Sequence, residues 1–328
     1  MNLQEFQNKV CLPATDDLLN KLLSAYCNNP ENEKSLQDLH TDLYKSINIT
    51  NCKNKGTINN QDRDNWRKYL LSEVNNANFQ IVKPPAKIQI GWFTYQSWKL
   101  IGGEKFHSTD IAHRFYICMN ASKIHKFSQA LYEKYKTNKI PFYFKISAEA
   151  EQGRKDNVVI YTTNKYFADN VRILNELEKE QSECFKTCEE PSLLVGKMTN
   201  HIGYASEPSD TQESYTGIIC KILEQAIENT INKMILWYPT LKINFKGQQF
   251  SLEEFYSNNL TWDKRKSHAH YLTKFMIEDS KFSKWLFSEI RNLMVQNNVD
   301  INNICCNKNV FKNLQVILDQ QNKTIINI

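Results

Sequence analysis

The chain has 328 residues, 41% of them hydrophobic, and a formal net charge of +5. That apolar content supports a substantial core. The mild charge comes without a polybasic run, which argues against a dedicated nucleic-acid binder and is accounted for by an anionic ligand. No apolar run reaches membrane-spanning length, and the N-terminus lacks a basic stretch followed by an apolar one, so the expectation is a soluble, cytoplasmic protein with no membrane partner. The nine cysteines are scattered. Cys184 and Cys188 have no second pair at zinc-finger spacing, so reduced thiols are expected.

The first eighty or so residues read as helical. Thr15-Asp16-Asp17 can cap a helix whose apolar positions, Leu18, Leu19, Leu22, Leu23 and Tyr26, recur at helical spacing. Leu36, Leu39, Leu43 and Tyr44 mark a second helix, and Trp66, Tyr69, Leu70, Leu71 and Val74 a third. Pro84-Pro85 then breaks the chain. Residues 88–98 are β-like, with a bend at Gly91-Trp92, and Gly102-Gly103 turns into a segment holding Lys105-Phe106-His107. Strand patterns follow at 113–119, 140–147 and 157–163, with an amphipathic helix over 122–138 between the first two. That order suits a parallel β–α–β pair, and a hairpin from 140–147 to 157–163 is a further option. Further helices are expected from Phe167 to about Glu183 and from about Tyr215 to Leu236. His268 and His270 read as part of an exposed, charged turn, a poor place for a metal. The fold class expected is α+β: a central mixed β-sheet, an N-terminal helical layer and more helices in the C-terminal half.

Chemistry concentrates between Lys105 and Tyr161. Strand alternation puts Lys105 and His107 on one face with Phe106 toward the core. Phe142, Phe144 and Ile146 form an apolar face, which sends Tyr143, Lys145 and Ser147 the other way. Arg154 sits in the turn before the last strand, and Tyr161 ends that strand. Any one such lysine is ordinarily a solvated side chain. Together with a histidine and an arginine, these groups suit a small anionic group plus proton transfer, since arginine grips phosphate bidentately and histidine titrates near neutrality. The sequence has no Gly-rich phosphate loop, dinucleotide fingerprint, kinase set, His-Glu-x-x-His helix or nucleophile elbow.

These segments resemble the HopA-type effector family and the related free-standing lyases of lanthipeptide-type biosynthesis. The pieces, in order, are Leu39 to Tyr44, Asn76-Ala77-Asn78, Gly91-Trp92, His113-Arg114-Phe115-Tyr116, Ile140 to Lys145, Arg154 with Asp156, Ile160-Tyr161, and Lys197, Gly203 and Glu207-Pro208. The likeness spans roughly residues 35–235. Lys105-Phe106-His107 also looks like the Lys-Phe-His signature of bacterial phosphothreonine lyases, with Lys145 and Arg154 in comparable places downstream. One departure is the helix after Ser214-Tyr215, where the family often has an arginine and this chain offers Lys221.

The resemblance implies a single lyase-like domain over 1–328: a helical layer at 1–80, a catalytic core at 86–235 and an extension at 236–328. It implies β-elimination of phosphate from phosphoserine or phosphothreonine, giving dehydroalanine or dehydrobutyrine, without a cofactor. Lys145 would be the base, His107 the acid and Tyr161 a supporting hydroxyl, with Lys105, Arg154, Lys197 and Arg114 binding the phosphate. The implied partner is a phosphorylated precursor peptide or phosphoprotein, with a separate kinase and cyclase in a biosynthetic setting. The alternatives are an effector acting on host phosphoproteins, secreted into a host cell, or a non-catalytic phosphopeptide-binding module.

Overall fold

The computed structural model describes residues 3–35, 37–48, 57–73, 79–81, 92–100, 111–147, 154–186, 190–206, 214–257 and 260–306. Lys105, His107, Gly91, Gly153, Glu207-Pro208 and the Asn-rich end after Cys306 lie outside them. In chain order the elements are helices α1 (Leu3–Val10), α2 (Asp16–Cys27), α3 (Leu39–Asn48) and α4 (Asn60–Glu73), then strands β1 (Phe79–Ile81), β2 (Trp92–Leu100) and β3 (Ile111–Ile117). Helix α5 (Ile124–Asn138) follows, then β4 (Tyr143–Ser147), β5 (Val158–Thr163), α6 (Phe167–Glu180), β6 (Gly196–Lys197) and β7 (Ile202–Ser206). The chain continues through α7 (Tyr215–Trp237), β8 (Lys242–Phe245), β9 (Gln248–Ser251), α8 (Leu252–Phe255), α9 (Trp262–Glu278) and α10 (Ser280–Gln296). The class is α+β, and the chain forms two compact units.

The first unit takes residues 1–12, 48–211 and 305–328. Its sheet has the order β1-β2-β4-β5-β3-β7-β6. Every described pairing is antiparallel, which corrects the expected mixed sheet. β5 returns beside β4 as the hairpin reading allowed and inserts between β4 and β3. The two strands joined by α5 therefore run parallel without touching. One face carries Tyr95, Phe144, Ile146, Ile160, Phe115 and Tyr204, all nearly inaccessible. The helices bury it: Trp66 of α4 meets Tyr95 at 5.8 Å, Tyr132 of α5 meets Phe142 at 5.4 Å, and Phe167 of α6 stacks on Phe115 at 5.8 Å. Phe6 of α1 closes against Phe167 and Tyr204. Each such side chain withdrawn from water contributes about 1.5–3 kcal/mol before ordering costs.

The second unit, residues 13–47 and 212–304, is helical. Thr15 caps α2 as its sequence predicts, its hydroxyl accepting from Leu18 N at 3.2 Å. The Leu18, Leu22 and Tyr26 stripe of α2 is buried, and α2 packs on α9 while α10 packs on α7 and α9. Of the helices of residues 1–80, α1 and α4 belong to the sheet unit, and α2 and nearly all of α3 to the helical unit. β8 and β9 form a hairpin whose two loop residues, Lys246 (φ 50°) and Gly247 (φ 81°), are both left-handed, the turn that matches strand twist. His268 and His270 lie within α9 rather than on a turn. His268 stacks on Phe255 at 3.9 Å, and His270 is buried edge-on to Tyr26. Aromatic neighbours distant in sequence draw both rings inward, and burial lowers both pKa values.

Candidate active site

Directly opposed residues of antiparallel strands share a face. Register therefore sorts the sheet's second face into rows. One row runs Tyr143, Tyr161, Arg114, Ala205 across β4, β5, β3 and β7. The next runs Thr94, Lys145, Val159, Tyr116, Gly203, Lys197 from β2 to β6. This is the face turned away from the helices. Lys145 is forced onto it because Phe144 and Ile146 are spent on the core.

Tyr161 is the centre of the arrangement. Its ring stacks on Tyr143 with centroids 4.4 Å apart. The Arg114 guanidinium carbon lies 4.8 Å from the same ring centroid and the Lys145 Nζ 5.5 Å, so the two cations are at most about 10 Å apart by the sum of those distances. Both lie within cation–π range. Tyr161 is 6% exposed and Arg114 9%, whereas Lys145 and Tyr143 are half-buried. The result is a partly dry strip in which two cations lie near one phenol, with a second aromatic ring stacked on it. Water is scarce enough there to strengthen interactions with an anion.

The other nominated residues sit differently. Arg154 is clasped by Asp156 in a two-pronged pair, Nε to Oδ1 and Nη2 to Oδ2, each at 3.0 Å. That planar fork is the geometry by which arginine takes a phosphate, so Asp156 occupies the place such a ligand would claim. Lys197 faces the same way as Lys145, but their rows place them four strands apart. Four spacings of about 4.8 Å make about 19 Å between Cα atoms, which two lysine stems of about 6 Å each do not close. Lys197 is instead paired with Glu190 at 2.6 Å, which holds that carboxyl below its ordinary range. Lys145, Tyr161 and Arg114 come together; Lys197 stands apart from Lys145; Lys105 and His107 lie outside the described residues.

His113, part of the strand motif, belongs to the core side. Its Nδ1 is 2.9 Å from the Tyr204 hydroxyl and its Nε2 2.8 Å from Asn164 Oδ1. Burial pushes its pKa down to about 4, against the opposing pull of Asn164. A neutral ring held from both sides is a structural histidine. Period-two alternation already puts Tyr143 on the face of Lys145, whereas Thr94 joins it only through the β2–β4 register. Among the described residues no group of three or more His, Cys, Asp and Glu is placed to hold a metal. A separate cleft of about 650 Å³, also lined by Glu5, Lys9 and Lys179, brings His201 Nδ1 to 2.9 Å from Glu178 Oε1.

The segment carrying this strip has a recognisable pattern. Residues 101–256 match the HopA1 effector protein family. That match takes in Arg114, Tyr143, Lys145, Arg154, Tyr161 and Lys197. No curated protein matches the chain. In fold, the chain is similar to a solved structure of an effector protein from Pseudomonas syringae pv. tomato strain DC3000, with a TM-score of 0.50 and 10% identity over 92% of this chain and 98% of that one. An effector protein from Pseudomonas syringae pv. syringae strain 61 aligns with a TM-score of 0.49 and 13% identity over 89% of this chain and 98% of that one. No helix among the described residues is long and apolar enough to cross a membrane.

Proposed function

We propose that this chain is a phosphoserine/phosphothreonine lyase acting on a phosphorylated protein or peptide. The observation that carries the reading is the convergence of Lys145 and Arg114 on Tyr161, a base candidate and a phosphate-gripping fork on one partly dry face. In the reaction Lys145 takes the Cα proton, the electron pair forms the Cα–Cβ double bond, and the Cβ–O bond breaks to release phosphate. A neutral amine is needed first, at a cost of about 4–5 kcal/mol at pH 7 from lysine's reference pKa. Partial burial works against the charged form and so toward lowering that cost. Arg114 takes the phosphate dianion, and Tyr161 hydrogen-bonds to the amine or the phosphate. His107, as imidazolium, is assigned to protonate the leaving oxygen. Arg154 joins the grip when the phosphate displaces Asp156.

The match to an effector family favours a phosphoprotein substrate over the precursor peptide of a lanthipeptide pathway. The deciding experiment is mass spectrometry of phosphoserine and phosphothreonine peptides incubated with the full chain. Loss of the whole phosphoric acid is expected. Recovery of unchanged phosphopeptide from every substrate, with retained binding, would leave a phosphopeptide-binding module as the better reading.

A further inference from the structure

The second unit carries a surface feature independent of the lyase reading. Helix α7 ends with Leu236, 77% exposed, and Trp237, 65% exposed. Lys233, Leu236 and Trp237 are spaced to share one helix face. Alongside, α10 presents Lys281 and Trp285 one turn apart. The Lys233 Nζ lies 4.6 Å from the Trp285 ring centroid. The Lys281 Nζ lies 4.3 Å from the Tyr238 ring and 5.8 Å from that of Trp285, and it donates to the Tyr238 hydroxyl. The two ammoniums are therefore at most about 10 Å apart, by the sum of their distances to Trp285. Of the acids near in sequence, Asp279 and Glu289 are engaged and Glu278 is exposed. Asp279 caps α10, accepting from the backbone N–H groups of Lys281 and Phe282, and Glu289 accepts from Asn229 at 2.7 Å. Lys233, Lys281 and Lys284 are all exposed, so the patch is apolar and aromatic with a cationic rim.

Exposed apolar clusters of this kind mark an interaction surface. Protein–protein interfaces are enriched in aromatics but depleted in lysine. Bilayer interfaces take Trp and Tyr at headgroup depth and lysines whose stems lie on apolar surface while their heads meet anionic lipid. We propose that the Leu236–Trp237–Tyr238–Trp285 patch, with Lys233 and Lys281, docks this protein peripherally on an anionic membrane surface. Leu236 and Trp237 enter the boundary between headgroups and acyl chains, and the two ammoniums pair with lipid headgroup anions. Hydropathy bears on crossing a bilayer and is silent about resting on one.

The test is co-sedimentation of the full chain with vesicles of phosphatidylcholine alone and of phosphatidylcholine with roughly one third phosphatidylserine. Binding to the anionic vesicles is expected, weakened by added salt. The Leu236→Ala/Trp237→Ala variant should bind at least about tenfold less tightly, since burying two such side chains accounts for more than that factor. Its melting temperature should match the wild type, as both residues are exposed. Lys233→Ala/Lys281→Ala should lose the preference for phosphatidylserine, and Val295→Ala, exposed ten residues further along α10, should bind as wild type. Failure to bind the anionic vesicles would overturn the proposal, as would equal binding by the Leu236→Ala/Trp237→Ala variant. So would self-association by gel filtration that this variant abolishes, which would make a second copy of the chain the occupant.

Discussion

Lys145 is the residue on which enzyme and binder part company. Proton abstraction belongs to the transition state, so Lys145→Ala is expected to abolish dehydroamino-acid formation while leaving phosphopeptide affinity near wild type. Calorimetric binding read beside mass spectrometry checks both halves; elimination that survives the substitution would end the proposed mechanism. Arg114→Ala should weaken binding and rate together, because a phosphate grip is used in both ground and transition states. His107→Ala should slow elimination by about 10²–10⁴-fold, the usual contribution of a general acid. Two other histidines act on stability. His113 and His125 are buried, and burial pushes each pKa down to about 4. Neither ring nitrogen of His125 has a hydrogen-bond partner among the described residues. Both imidazoles titrate near 6.5 when unfolded, so between about pH 6.5 and 4 the unfolded chain binds more protons and acid favours unfolding. Stability is therefore full above about pH 6.5 and falls by up to about 3 kcal/mol per histidine toward pH 4. Urea titrations at several pH values should show that fall, and His125→Leu should make it shallower.

At the level of elements, the sheet's second face depends on a close approach at Gly203. A Cβ built there would lie 2.3 Å from Val195 Cγ2 and 3.0 Å from Pro191 Cβ, so β7 tolerates no side chain under that segment. Gly203 stands between Tyr116 and Lys197 in its row, which makes the packing a condition for where β6 runs. Gly203→Ala is expected to cost about 1–3 kcal/mol through overpacking. Thermal denaturation checks this, and an unchanged melting temperature would mean that the 191–195 segment shifts freely. The order of strands has a further consequence at this scale. With β5 inserted between β4 and β3, Tyr161 acquires Tyr143 on one side and Arg114 on the other. A directly adjacent, parallel β3–β4 pair would have excluded that trio.

Across the whole molecule the two units are held by different means. The sheet unit relies on aromatic packing, and the helical unit adds a buried ion pair between Lys266 and Asp42, 6% and 4% exposed at their side chains. Ser35 donates to Asp42 Oδ1 at 2.8 Å, and Lys266 donates to the backbone carbonyls of Ser35 and Gln37. Removing one partner strands a desolvated charge, so Asp42→Ala should destabilise by about 3–5 kcal/mol. The double variant Asp42→Leu/Lys266→Met should recover most of that loss in denaturant titrations, because an apolar pair needs no compensation. Equal losses in the single and double variants would show that the polar network itself is required.

The amino-acid sequence alone determined what depends on near neighbours. The Thr15 cap, the α2 stripe, helices α5, α6 and α7, and the direction in which Lys145 points all follow from capping chemistry and from periods of 3.6 and 2. The HopA-type resemblance was likewise readable from short motifs in order. Strand order, register and the partners of long side chains were decided by the tertiary structure, because they depend on which surfaces bury one another across long loops. Arg154 and Lys197 read alike in sequence as phosphate ligands, yet Asp156 takes the fork of one and three intervening strands separate the other from Lys145. His268 and His270 read as exposed on local polarity alone. They turned inward because Phe255 and Tyr26 supplied the aromatic surfaces that no local pattern contains.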